Sequence, residues 1–157
     1  MSFDNTEPLK KSLTVPKAAA EAFELFVNQA SRWWPLETHC LAKADAGEVA
    51  VGATFENHSG GRIFETLRDG RQLEWGSVLH FARHQGMTVL WQLGRPAAEA
   101  TEWEVRFIPS GERETCVEIE HREWQRLGAN AAGMRANYDK GWDFVLGQRF
   151  GGLCRGG

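Results

Sequence analysis

Cysteine is scarce: three in 157 residues, Cys40, Cys116 and Cys154, an odd number, widely spaced and with no CxxC pair. That argues against a disulfide framework or a zinc scaffold, and free thiols in a reducing cytoplasm are expected. Long apolar runs are missing too. No stretch approaches the ~18–20 residues of a membrane span, and the opening "MSFDNTEPLKK" has no apolar core of the kind a signal peptide carries. Positive charge is not in excess. The net charge is −3 and the pI near 6.0, with no run of Lys and Arg interleaved with aromatics, which argues against nucleic acid as a partner. Signatures of nucleotide and nucleophile chemistry are absent as well, with no GxGxxG, no GK(S/T) and no GxSxG.

What remains is an ordinary globular balance, 42% hydrophobic and 25% charged. The length suits one domain, able to bury roughly two-thirds of its unfolded surface. Its aromatics are unusual: seven Trp and nine Phe against a single Tyr. Large rings with few hydroxyls point to a wide apolar interior or a pocket with flat walls.

Along the chain, residues 1–8 read as a loose polar start. "LKKSLTV" alternates as a first strand over Leu9–Val15, stopped by Pro16. "PKAAAEAFELFVNQ" has proline at a first turn, and Ala19, Ala22, Phe23, Phe26 and Val27 share one helical face. "ASRWW" makes a second short helix, ended by Pro35. Residues 36–47 read as a loop leading to a strand near Glu48–Val51. Period two then holds through "ATFEN", "GRIFETL", "QLEWGSVLHFA", "MTVLWQL", "EWEVRFI" and "TCVEIEH", an antiparallel meander with one wet face. Trp75 is in phase with Leu73, Leu79 and Phe81. Helical spacing returns from Ala131 to Phe150, with Met134, Tyr138, Trp142, Val145 and Arg149 on one face, joined by Leu146 and Phe150. The tail "GGLCRGG", 151–157, reads as frayed.

One strand, two short helices, a meander and a long last helix make an α+β order in which the helix must cover the sheet. The order resembles the helix-grip fold of the START-like (SRPBCC) superfamily, and within it the branch related to the C-terminal domain of the heat-shock protein 90 ATPase activator (Aha-like). The stretches that carry the likeness are "VPKAAAEAFELFV", "RWWP", "VGATFE", "GGRIFE...DGRQLEWGSVL", "LWQL", "EVRFIPSGERETCVEIEH" and "GWDFVLGQRF". The resemblance spans 9–150. It implies a curved sheet of about six to seven strands around the last helix, with a hydrophobic pocket between them. It implies no single activity, since the superfamily holds binders, cyclases and co-chaperone domains.

Candidate site residues follow. Glu65 is in phase with Ile63 and Leu67, so it either carries a carboxylate inward or leaves that face to Phe64 and meets water. His121 closes a strand in phase with Val117 and Ile119, placed to touch a ligand, to pair with Glu65, or only to bind backbone. His39, after "WWPLET", is a candidate for the pocket mouth. Trp33, Trp34, Trp75, Trp91, Trp103 and Trp142 are candidate walls, with core packing as the plain alternative. One of the adjacent Trp33 and Trp34 should anchor the core and the other face the pocket, because neighbours on a helix point about 100° apart. A metal site from His39, Cys40 and His121 lacks paired-ligand spacing, so neither metal nor cofactor is expected. The leading expectation is a cytoplasmic binder of a small hydrophobic or amphipathic molecule, without catalysis. The alternatives are an interaction module docking on a chaperone ATPase, and a cyclase-like enzyme moving a proton through Glu65 or His121.

Overall fold

The computed structural model describes residues 6–156; the first five residues of the expected loose start lie outside that range. A single seven-stranded antiparallel sheet runs in the order β1-β7-β6-β5-β4-β3-β2. Its strands are β1 (Leu9–Val15), β2 (Gly52–Phe55), β3 (Arg62–Thr66), β4 (Gln72–Ala82), β5 (Gly86–Trp91), β6 (Thr101–Gly111) and β7 (Glu114–Arg122). Between β1 and β2 come α1 (Ala19–Asn28), α2 (Ala30–Trp33) and α3 (Leu41–Ala46). After β7, two short 3₁₀ turns within Trp124–Asn130, separated by a kink at Gly128, lead into α4 (Ala131–Trp142), a π-helical segment Asp143–Phe150, and α5 (Gly151–Cys154). This is the helix-grip arrangement, a curled sheet closed on a long C-terminal helix.

Alternation drives the strands. In β7, Thr115, Val117, Ile119 and His121 are buried and the residues between them are half-buried. In β6, Trp103, Val105 and Phe107 are buried, with Glu104 half-buried and Arg106 exposed between them. The phase breaks in β4, where two bulges intervene. Ile63 pairs with Gly76 and Phe64 with Glu74, which leaves Trp75 as the extra residue. Val78 pairs with Val89 and His80 with Thr88, which leaves Leu79 as the second. Leu79 is therefore 47% exposed, against the in-phase expectation. Opposite Trp91, Gly76 brings β4 close to β5: a Cβ there would stand 2.1 Å from the Leu90 carbonyl oxygen.

Three stretches differ from expectation. The 36–47 loop contains α3, Glu48–Val51 forms no strand while β2 matches the strand expected at "ATFEN", and helix continues where a frayed tail was expected. Gly151 and Cys154 are buried, and a Cβ on Gly151 would meet Leu13 Cδ1 at 2.8 Å, so the helix end lies directly on β1. Lys11 ties the same strand to the helix through Asp139 (2.5 Å) and Asp143 (3.0 Å). Trp142, Leu146, Phe150 and Cys154 form the helix's inner row, while Arg149, expected on that face, turns outward to Glu37. At the far edge of the sheet, Ser31 Oγ donates to the Ala53 carbonyl (3.1 Å) and accepts from the Ala53 N–H (2.9 Å). Among the described residues no helix is long and apolar enough to cross a membrane.

Candidate functional site

Trp33 and Trp34 part because Trp33 closes α2 while Trp34 leaves it in extended backbone. Trp33 is fully buried, its ring 4.7 Å from Phe26 and 5.2 Å from Phe150, and its indole N–H is shared between the Leu25 and Phe26 carbonyls. Trp34, made extended by the proline after it, turns the other way. Its indole N–H donates to the His39 carbonyl (2.8 Å), and its ring lies 4.9 Å from Trp75 and 5.9 Å from Trp91. Trp34 and Trp91 wall a cavity of about 310 Å³, closed on the helix side by Trp142 and Val145. Leu41 and Leu93 extend its apolar lining, and Thr38, His39, Asn137 and Tyr138 bring polar groups to it. A mostly apolar pocket with a few fixed polar groups is the pattern of a small-molecule site.

His39 is among the residues that line the cavity and is itself exposed. Its ring lies 5.7 Å from Phe144 and its Nδ1 is 2.6 Å from Thr38 Oγ1. Burial pushes its pKa below the usual histidine value; the nearby Glu37 carboxylate works the other way. The rim is latched to the π-helical segment. Glu37 pairs with Arg149, whose guanidinium lies over Phe144 at 5.9 Å, and Lys43 Nζ donates to the Glu37 carbonyl (3.0 Å). This latch is half-exposed, so Arg149→Ala should change stability by less than about 1 kcal/mol. Release of a bound probe should become several-fold faster, as read by stopped-flow fluorescence; an unchanged rate would mean that the latch does not govern the rim.

Glu65 and His121, expected as ligand-orienting groups, sit behind the wall. Glu65 is fully buried, and neither it nor His121 is among the residues lining the cavity. Both Glu65 oxygens are engaged: Oε1 accepts from the Leu41 N–H (2.5 Å) and the Trp75 indole (2.5 Å), Oε2 from the Ala42 N–H (2.8 Å). It caps α3 from another strand, supplying acceptors for first-turn N–H groups that have no partner within the helix. This is why α3 escaped the local pattern, since Cys40 at its N-cap makes no side-chain cap bond.

His121 is equally occupied. The Trp142 indole can only donate, so the His121 Nδ1 it reaches at 3.0 Å carries no hydrogen. The ring hydrogen is therefore on Nε2, donated to Thr101 Oγ1 (2.7 Å). Trp124 stacks on the ring at 4.1 Å. Burial, with the positive charge of Arg95 adding to it, lowers the His121 pKa to about 3, so the imidazole is neutral. It does not bond to Glu65; each has its own partners.

Trp75 and Trp103 form the layer behind the cavity. Trp103 lies 5.6 Å from both Trp91 and Trp142 and is fully buried. Of the nine expected site residues, Trp34, His39, Trp91 and Trp142 meet at the cavity, and Trp33, Glu65, Trp75, Trp103 and His121 support it. Tyr138 was recognised only as a helix-face residue. Its hydroxyl accepts from the Trp91 indole (2.9 Å), and burial raises its pKa above the usual phenol value. Among the described residues no group of three or more His, Cys, Asp or Glu side chains is placed to hold a metal ion. All three cysteines are free, and burial pushes the Cys154 thiol up to about 11.

No family model matches the sequence, and comparison with curated proteins finds no match. Solved structures do match over nearly the whole chain. An anthrahydroquino-gamma-pyrone synthase, Txn09, solved as a complex with SUM, is 28% identical, covers 93% of this chain and 96% of its own, and superposes with a TM-score of 0.62. CalC from Micromonospora echinospora, described as a self-sacrificing resistance protein, is 24% identical with a TM-score of 0.66, covering 95% and 94%. Protein MLL2253 from Mesorhizobium loti reaches a TM-score of 0.67 at 11% identity, covering 95% and 98%, a likeness of fold alone. The narrower resemblance to the heat-shock protein 90 activator branch is not singled out by these matches.

Proposed function

We infer that this chain, a member of the START-like (SRPBCC) helix-grip superfamily, holds a small hydrophobic or amphipathic molecule in the cavity between Trp34, Trp91 and Trp142. One observation carries this: three indoles from three different elements converge on one apolar space with only a few polar groups at its margin. Flat walls suit a planar, polycyclic ligand, and the synthase at 28% identity is named for such chemistry. His39 and Tyr138 are the groups that would orient it.

Native mass spectrometry of protein from its own host, followed by calorimetric titration with a planar aromatic panel, tests this. Trp34→Leu removes one wall while leaving Trp33 in the core, and is expected to weaken binding at least tenfold. Equal affinity for wild type and variant, or no ligand at all across host preparations and panel, would reject the cavity as a binding site.

A second function is favoured by the same synthase neighbour together with the depressed pKa of His39. A neutral imidazole on the cavity wall is a competent proton acceptor. In that case a bound ligand would leave with an altered structure, visible when the titrated compound is recovered and compared with its input.

A further inference from the structure

Arg95 sits in the turn after β5, half-buried. Its Nε and Nη2 are both shielded from solvent, and neither has a hydrogen-bond partner among the described residues. A guanidinium cannot shed its charge. Two buried donors of a permanent cation without acceptors are costly, and such groups are rare in folded proteins. The identity of the two atoms matters. Nε–H and the adjacent Nη2–H point the same way from one edge of the guanidinium plane, the fork that a carboxylate takes with two parallel hydrogen bonds.

Arg95 lines an outer groove, and its link to the cavity runs through Tyr138, which lines the cavity. The Arg95 guanidinium reaches the Tyr138 hydroxyl, which takes hydrogen bonding from Arg95 as well as from the Trp91 indole and keeps its own hydrogen to donate. Asn137, next in sequence, borders both the cavity and an outer groove lined by Arg95, Met134 and Leu127. Glu99 also lines that groove, but among the described residues it makes no ion pair with Arg95. The turn is held in an unusual shape. Leu93, a cavity residue, has φ +49°, Gly94 has φ +81°, and the N–H groups of Gln92 and Leu93 both donate to the Trp75 carbonyl at 2.8 Å. A left-handed non-glycine residue is a local cost that persists only where its surroundings impose it. Here it puts Leu93 on the wall and Arg95 just beyond.

We propose that Arg95 is the acid-recognition group of this cavity: a ligand held between the tryptophans presents a carboxylate, or the two-oxygen anion of an ionised 1,3-dicarbonyl, to Nε and Nη2, with the Tyr138 hydroxyl as third donor. The proposal rests on the ligand-binding function inferred above and goes further by naming the ligand's charge and the atoms that read it. Engagement requires the guanidinium edge to rotate toward the cavity about its own side-chain bonds, with the backbone of the turn in place.

The test compares anthraquinone-2-carboxylate with its neutral carboxamide, titrated against the full chain at neutral pH and followed by tryptophan quenching. Wild type should bind the acid at least tenfold more tightly than the amide. Arg95→Gln should bring the acid down to the amide's affinity and leave the amide unchanged; Arg95→Lys, which keeps the charge and loses the fork, should fall between. Equal affinity of wild type for acid and amide, or an Arg95→Gln variant that keeps the acid preference, overturns the proposal while leaving the cavity function standing. If neither probe binds wild type, this proposal falls, while the cavity function is decided by the wider panel and the host preparations. Should Arg95→Gln fail to fold, the Lys variant answers the same comparison.

Discussion

Glu65→Ala is expected to destabilise the protein by about 3–5 kcal/mol, the range for stripping a buried charged acceptor from its partners. For a domain of this size that is a fall in melting temperature of roughly 10 °C. The substitution leaves the Leu41 and Ala42 N–H groups and the Trp75 indole without their acceptor at once. Water cannot readily replace it, because Glu65 is fully enclosed. Glu65→Gln should be milder, since one oxygen survives while the amide nitrogen confronts a donor. Chemical denaturation gives the magnitude, and hydrogen exchange at the Leu41 and Ala42 amides gives the mechanism: their protection should vanish in the Ala variant even where the sheet stays protected. A variant with wild-type stability would mean that α3 does not depend on this carboxylate. Because α3 begins at Leu41, on the cavity wall, ligand affinity should fall together with the helix.

The second large effect is a dependence on acid that belongs to His121. Its pKa is about 3 in the folded protein, against 6.5 when free. Between those values the unfolded chain takes up a proton that the native state refuses. Stability therefore rises with pH across this window, and is lost as pH falls from about 6.5 toward 3. One such proton gives a slope of about 1.4 kcal/mol per pH unit, and a total of a few kcal/mol. His121→Gln keeps an acceptor for Trp142 and a donor for Thr101 and cannot titrate. It should cost about 1–3 kcal/mol at neutral pH through imperfect geometry, yet show a much flatter stability profile between pH 6.5 and 4. The carboxylates whose pKa values are lowered, among them Glu24, Glu37, Asp69 and Asp139, act in both proteins and in a more acid range, so the difference between the two profiles isolates the histidine. Parallel profiles would show that His121 is not the acid-labile group.

Much of the architecture was legible because it is written in period. β1, α1, the meander and the C-terminal helix each follow from residues recurring every two or every 3.6 positions, and the choice between Trp33 and Trp34 was open for a geometric reason that the structure then resolved. What was illegible depends on residues far apart in the chain. α3 has no capping signal of its own; its cap is Glu65, 24 residues from Leu41. The bulges at Trp75 and Leu79 insert single residues that no alternation rule anticipates. The π-helical segment moves Arg149 outward by the same kind of local shift. Glu65 and His121 were rightly suspected of facing inward, but sequence could not reveal that backbone and indole N–H groups already satisfy them. Arg95 left no trace, because nothing in "LGRPAA" tells that its donors lack partners.

One contact at the margin of the sheet bears on self-association. The hydroxyl of Ser31 uses both the N–H and the C=O of Ala53, in the middle of the four-residue strand β2. A strand from another molecule adding at this edge would need those same two groups. Ser31 thus acts as a plug, set one turn before the paired tryptophans, so that the helix supplying the cavity wall also denies a template for fibril-like growth.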